Sequence, residues 1–226
     1  MRNKIIVIEG TDCSGKQTQS DRLLSRLNSE GYSIFKTYFP NYDSPTGYII
    51  GQDYLGKGGK GLFKEGAGNV DPKVSGLYYA ADRKYNMPKL LKELEHSHVL
   101  LDRYIDSNLA HQGGKIDDDK ERFAMYDFFD KLEYGLLELP KADIRILLYL
   151  PYQYGLELKK SRSATEILDE HESDPDHLKK AERAYLEIAK RNDYKIINVA
   201  DESGKIRTIE DIHEELYAYV KGELDK

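Results

Sequence analysis

The run Gly10-Thr11-Asp12-Cys13-Ser14-Gly15-Lys16 has the composition and spacing of a phosphate cradle. Glycines let the backbone curl until successive N–H groups point inward at phosphate oxygens, and a helix beginning there adds its partial positive charge. Lys16 then reaches the β- and γ-phosphates of a nucleotide as a point charge. The apolar residues Ile5-Ile6-Val7-Ile8 just before the run place it between a strand and a helix, the setting this motif requires. Gly10 to Thr18 are therefore the candidate nucleotide-binding residues. One position departs from the pattern. The lysine is normally followed by Ser or Thr, whose hydroxyl ligates Mg²⁺, and here Gln17 follows. Its amide oxygen is less well placed for the metal or a bound water, and Thr18 points about 100° away on a helix. Either the metal is held differently, or the loop binds nucleotide without efficient turnover.

A second group sits at Leu100-Leu101-Asp102-Arg103-Tyr104. In a doubly wound sheet ligands bind beyond the carboxyl ends of the strands, so this pair should face the same crevice as the loop. Asp102 there can hold Mg²⁺ through water, and Arg103 can clamp a transferring or accepting phosphate with paired hydrogen bonds. A surface ion pair is the plain alternative for the dipeptide alone, and its combination with the phosphate loop decides against it.

These residues need a scaffold, and short β-rich apolar runs alternating with helical patterns supply one. Strands are predicted at Ile5–Glu9, Ser33–Phe39, Val99–Asp102, Ile144–Leu150 and Lys195–Val199. Several lack polar alternation, as strands buried on both faces do. Helices are predicted at Lys16–Glu30, Val74–Glu95, Asp118–Leu136, Asp174–Asn192 and Ile209–Leu224. Asp71-Pro72 and Asp174-Pro175 each read as an N-cap followed by a first-turn proline. The fold class is α/β: a three-layer α/β/α arrangement on a five-stranded parallel sheet, in one domain spanning 1–226, with a short lid. The glycine-rich stretch Gly56–Gly68 reads as a mobile loop, and the charged stretch Lys159–Glu172 as the lid.

With 34 basic against 40 acidic residues the net charge is −6, which argues against a generic nucleic-acid surface and for a local phosphate-binding cluster. No stretch approaches the ~20 apolar residues needed to span a bilayer. The single cysteine, Cys13, excludes an internal disulfide, and with no signal-like N-terminus the expected location is cytoplasmic.

Along nearly its whole length the chain resembles thymidylate kinase, a P-loop nucleoside-monophosphate kinase. The resemblance rests on Glu9-Gly10-Thr11-Asp12 with the loop, Phe39-Pro40, Tyr79-Ala80-Ala81-Asp82-Arg83, and Asp102-Arg103-Tyr104 continuing through Ser107-Asn108-Leu109-Ala110-His111-Gln112-Gly113. It implies transfer of the γ-phosphoryl of MgATP to dTMP, with Mg²⁺ as the only cofactor and a homodimer as the assembly. It places Asp12 near the acceptor sugar and phosphate, Arg103 on the acceptor phosphate, and Phe39 and Tyr42 along the sugar and phosphate side. Tyr79 takes the position of an aromatic ring, usually phenylalanine, that stacks on thymine; plain core packing is its alternative. Arg83 would donate to the base edge and Asn108 read it, unless Asn108 is a capping residue. His111 stands where the family has tyrosine or phenylalanine against the sugar, so weaker discrimination against ribonucleotides is expected. The loop from Asn198 to Asp201 would border the adenine. Some relatives carry an arginine within the phosphate loop, at the position of Cys13 here. The resemblance therefore moves the catalytic cation to the lid, where Lys159, Lys160 and Arg162 stand, and the planar fork of Arg162 suits phosphate best. A kinase with another monophosphate or a deoxynucleoside as acceptor, and a catalytically weak nucleotide-binding relative, remain as alternatives.

Overall fold

Ile5–Gly10 forms β1, and all six residues are buried. A strand with no exposed face must sit inside a sheet covered on both sides. A computed structural model of the chain, describing residues 2–57, 61–162 and 175–226, shows that arrangement. Around β1 lie β2 (Ile34–Tyr38), β3 (His98–Asp102), β4 (Ile144–Tyr149) and β5 (Lys195–Asn198), all parallel and in the order β2-β3-β1-β4-β5. The five parallel strands with helices are those the alternating pattern predicts.

Residues of β1 point alternately to two separate cores. Ile5 and Val7 join Val99, Leu101 and Leu147 on one face, under α3 (Pro72–Leu94), α4 (Ile105–Gly114), α5 (Asp119–Asp130) and α7 (Pro175–Arg191). Ile6 and Ile8 join Leu100, Ile146 and Leu148 on the other, under α1 (Lys16–Ser29) and α8 (Ile209–Leu224). A third, smaller cluster of Ile50, Tyr54, Leu55, Ala67 and Val70 gathers outside the sheet, after the short helix α2 (Pro45–Tyr48). Part of the glycine-rich stretch expected to be a mobile loop is thus packed, with Tyr54 stacked near Tyr78 and edge-on to Tyr79. The Lys115 ammonium ties this cluster to the end of α4, donating to the carbonyls of Ala67 and Val70.

The Asp71 cap forms as expected, its side chain accepting from the amides of Lys73 and Val74. Pro175 opens α7, while Asp174 lies outside the described residues. The helix expected over Asp118–Leu136 is α5 followed by a wider π-type turn, Lys131–Leu136, which turns Glu133 into the core. Beyond the predicted elements are α2, α4 and α6 (Tyr152–Arg162). Among the described residues no helix is long and apolar enough to cross a membrane.

Strand register sets where the chemistry occurs. Asp102 pairs with Ile8 on one side and Tyr38 on the other, so β1, β2 and β3 all end on one edge of the sheet. Chain connections leave β1 and β3 toward opposite sides, which opens a crevice between their ends. The wall beside it depends on close approach of α3 and α5. A Cβ added at Gly76 would lie 2.0 Å from Cζ of Phe129, a fully buried ring. Gly76→Ala should therefore destabilise the fold by roughly 1–3 kcal/mol, read as a lowered midpoint of thermal unfolding, whereas Gly68→Ala, where the added methyl meets nothing within 4 Å, should not.

Candidate active site

The loop after β1 has the close-approach geometry that its glycines predict. A Cβ on Gly10 would lie 2.5 Å from the Ser14 Oγ and 2.8 Å from the Leu148 carbonyl, so no side chain fits. Gly15 caps α1 in the left-handed region at φ 80. Cys13 is also left-handed, at φ 60, which costs a non-glycine residue on the order of 1 kcal/mol. The Thr11 hydroxyl donates to the Leu150 carbonyl at 2.7 Å and accepts its amide at 2.8 Å, stitching the loop to the end of β4. The Thr11 amide also donates to the Leu148 carbonyl, at 3.2 Å, so this residue holds the loop in place. Lys16 lies back over the loop, donating to the carbonyls of Gly10 at 2.8 Å and Thr11 at 3.2 Å. Burial, and the nearby Arg103 cation, bring its pKa down to about 8. Gln17 and Thr18 are exposed at the start of α1, and Gln17 faces the crevice.

Behind the loop stands Glu9, buried at the end of β1. Its Oε1 accepts the amides of Tyr104 at 2.7 Å and Ser107 at 3.1 Å, so this carboxylate caps α4, whose own N-cap residue makes no side-chain cap. Burial pushes its pKa up to about 7 against the opposing pull of Arg103 and the Tyr104 amide. The other oxygen, Oε2, has no hydrogen-bond partner among the described residues.

Beyond the strand ends opens a cleft of about 490 Å³. Asp12, Phe39, Tyr42, Tyr79, Arg83, Arg103, Asn108 and His111, all predicted to be acceptor-side residues, line it together with Asp102 and Gln17. Arg103 is held at a left-handed φ of 68. One terminal nitrogen, Nη1, donates to Ser107 Oγ at 3.0 Å, His111 Nε2 at 3.2 Å and the Tyr185 hydroxyl at 3.2 Å, while the other stands 3.8 Å from Asp12. Burial works against its charge, but Tyr185 and the carboxylates of Asp12, Asp102 and Glu9 outweigh burial and keep it a cation. Arg83 is fully buried, with Glu133 gripping its Nε at 2.5 Å and its Nη2 at 2.7 Å. Two of its five N–H donors are thus committed to the buried Glu133 carboxylate. Asn108 lies in the second turn of α4 rather than at its end, which excludes a capping role.

The rim opposite α4 is set by a fully buried carboxylate. Asp82 Oδ1 accepts from Ser44 Oγ at 2.9 Å and Thr46 Oγ1 at 2.7 Å, and Oδ2 from the Asn41 amide at 2.8 Å. These bonds fix the turn that carries Tyr42. Lys57 Nζ sits 3.9 Å above the Tyr42 ring. The lid expected over 159–172, with Lys159, Lys160 and Arg162, lies outside the described side chains.

Several residues of the site were not singled out by the sequence reading. Gln112 is completely buried, lines the cleft, and has no partner for either amide atom among the described residues; the same holds for Asn108 Oδ1. The i, i+4 spacing of 108 and 112 puts both on one helical face, a signal readable only once α4 is assigned. Ser107 and Tyr185 position Arg103, and Glu9 supports the helix. The oxygen donors on the cleft that could hold Mg²⁺ are those of Asp102, Asp12 and Gln17. The Asp102 carboxylate makes no hydrogen bond among the described residues, and hard oxygen donors with room for water suit this ion.

A thymidylate kinase family model matches residues 8–212. The chain belongs to the thymidylate kinase family. It is 30% identical over 219 residues to a probable thymidylate kinase of Methanocaldococcus jannaschii, covering 97% of this chain and 96% of that one. A probable thymidylate kinase of Thermococcus onnurineus is 31% identical over 229 residues, with 98% of each chain covered. A thymidylate kinase of Halothermothrix orenii is 30% identical over 230 residues, with 100% of each covered. Among solved structures, the fold superimposes on thymidylate kinase from Candida albicans with a TM-score of 0.70 at 23% identity, covering 98% of this chain and 92% of that one. Family membership makes the chain an ATP-dependent nucleoside-monophosphate kinase.

The buried Glu9 gives the family fold here a pH signature. Its folded pKa lies above the unfolded value of 4.5, so its stability contribution is complete below pH 4.5 and is lost as pH rises through 7. Glu9→Gln retains the carbonyl acceptor for Tyr104 and removes that titration. The stability of the wild type relative to Glu9→Gln should therefore fall by up to about 3 kcal/mol between pH 4.5 and 7.5, measured by urea unfolding of both proteins across that range.

Proposed function

We propose that the chain transfers the γ-phosphoryl group of MgATP to dTMP, giving dTDP and ADP. The observation that carries the choice of acceptor is the set of buried amide atoms without partners among the described residues, Asn108 Oδ1 and both amide atoms of Gln112, in the cleft that also contains Arg103. Thymine presents an acceptor–donor–acceptor edge, and an amide oxygen and an amide N–H complement adjacent positions of it. Buried polar groups left without partners favour a ligand that satisfies them. Tyr79 offers a flat ring for the base, Phe39 and Tyr42 border the sugar and phosphate side, and His111 lies between the amides and Arg103. Arg83, held by Glu133 through two of its N–H groups, would donate to the base edge with the others.

Transfer is in line, without a covalent enzyme intermediate. Lys16 and the loop amides hold the donor phosphates, while Arg103 aligns the acceptor phosphate beside Asp12. Asp102 would hold Mg²⁺ through water, with Gln17 at its edge, and the ion would supply neutralisation of phosphate charge. Arg162 of the lid would complete the cationic surround of the transferring group.

A homodimer is part of this reading. Val74, Leu77, Tyr85 and Leu91 form an exposed apolar stripe along α3, with Phe123 and Phe128 exposed on α5. Sedimentation should return twice the 26.0 kDa chain mass, and a persistent monomer at micromolar concentration would sink the dimer.

A coupled assay with MgATP and a panel of monophosphates tests the reaction. ADP release with dTMP is expected, and no turnover with any acceptor would refute the reading. Arg103→Ala should lower kcat/KM for dTMP by about 100-fold or more while ATP affinity measured by calorimetry stays near that of the wild type.

A further inference from the structure

His177 occupies the first turn of α7, far in sequence from the acceptor-side residues, yet it is buried against one of them. Its Nε2 lies 3.2 Å from Nδ1 of His111. The two ring planes differ by 13° and the centroids are 5.5 Å apart, which with that nitrogen separation places the imidazoles edge to edge, as an N–H···N bond requires. The other nitrogen of His111, Nε2, lies 3.2 Å from Nη1 of Arg103.

A guanidinium can only donate. Arg103 therefore obliges His111 Nε2 to accept, and a neutral His111 must then carry its proton on Nδ1. That proton can point only at His177 Nε2, which must accept in turn. The polarity of the whole chain, Arg103 to His111 to His177, thus follows from the charge at one end. It also runs in reverse. If position 177 offers no acceptor, the His111 proton loses the acceptor that favours Nδ1, and the tautomer with Nε2–H sets a donor against the Arg103 donor. The guanidinium then loses one of the three acceptors that fix Nη1, leaving Ser107 and Tyr185.

We propose that His177 is a positioning residue: through His111 it fixes the hydrogen-bond polarity around Arg103 and so the aim of that guanidinium at the acceptor phosphate. The inference rests on the reading of Arg103 as the acceptor-phosphate group, but its first test does not. The full chain, labelled with ¹⁵N-histidine, is examined by long-range ¹H–¹⁵N correlation near pH 8, with the His111 signals assigned by their loss in His111→Gln. The wild type should show His111 protonated on Nδ1 and bare on Nε2. His177→Phe should convert His111 wholly or partly to the Nε2–H form, and His177→Gln, whose Oε1 still accepts, should restore the wild-type tautomer.

In kinetics with dTMP, His177→Phe should raise KM for dTMP about tenfold, the order expected for one lost hydrogen bond to a charged group, with KM for ATP unchanged. His177→Gln should recover most of that loss. An Nε2–H tautomer in the wild type overturns the proposal whether or not either variant folds. An unchanged tautomer in His177→Phe, or an equal KM for dTMP in the Phe and Gln variants, overturns it as well. If the wild type shows the expected tautomer but turns over no monophosphate, the functional reading fails and the positioning of Arg103 stands.

Discussion

Glu9 ends the central strand with its carboxylate turned under the chain that follows β3, where Oε1 takes the amides of Tyr104 and Ser107. Both halves of the cleft are tied to this one side chain. The phosphate loop begins at the next residue, and the helix it caps carries Asn108, His111 and Gln112. A buried carboxylate costs free energy unless it is well bonded. Its two amide bonds and the cations of Lys16 and Arg103 offset part of that cost, and the elevated pKa records the remainder. Donor and acceptor sides thus share a charge balance as well as a wall.

The acceptor side is built by the same means, with buried charges satisfied by distant parts of the chain. Asp82 on α3 gathers the turn at residues 41–46, Glu133 grips Arg83 from the turn after α5, and Lys115 draws the aromatic cluster onto α4. Removing one partner of such a contact leaves the other unpaired in a low-dielectric interior, so each fixes a geometry more firmly than its net energy suggests. The cleft is therefore rigid at Arg83 and on the Asp82 rim, and among the described residues its buried side-chain atoms without partners are on Asn108 and Gln112, on the α4 wall.

Much of this was legible in the sequence because it depends on local pattern. Continuous apolar runs marked β1, β3 and β4, and glycines at 10 and 15 with Lys16 marked the loop. The Asp71-Pro72 pair marked the start of α3. What escaped depends on tertiary context. In α4, Asp106, Ser107 and Asn108 follow Ile105 and the helix ends with Gly113 and Gly114, all five weak helix formers, and its cap comes from a residue nearly a hundred positions earlier. Without that helix, the shared face of Asn108 and Gln112 is invisible. Arg83 is easily read as a free donor until Glu133, 50 residues on, is seen to hold it. His111 looks like a lone departure from the family pattern, and its meaning lies in His177, 66 residues away.

Gly114 has a wider consequence. A Cβ there would lie 3.0 Å from the Ala181 amide nitrogen, so the backbones of α4 and α7 meet with no side chain between them. Contacts between long side chains can absorb a small slip by changing rotamer, but contact between main chains cannot. The two helices therefore form a single stiff lever. One arm begins just after the charged segment that follows α6, and the other carries Asn108 and Gln112, which line the cleft. Any displacement where α7 starts is delivered to the acceptor wall without being cushioned on the way.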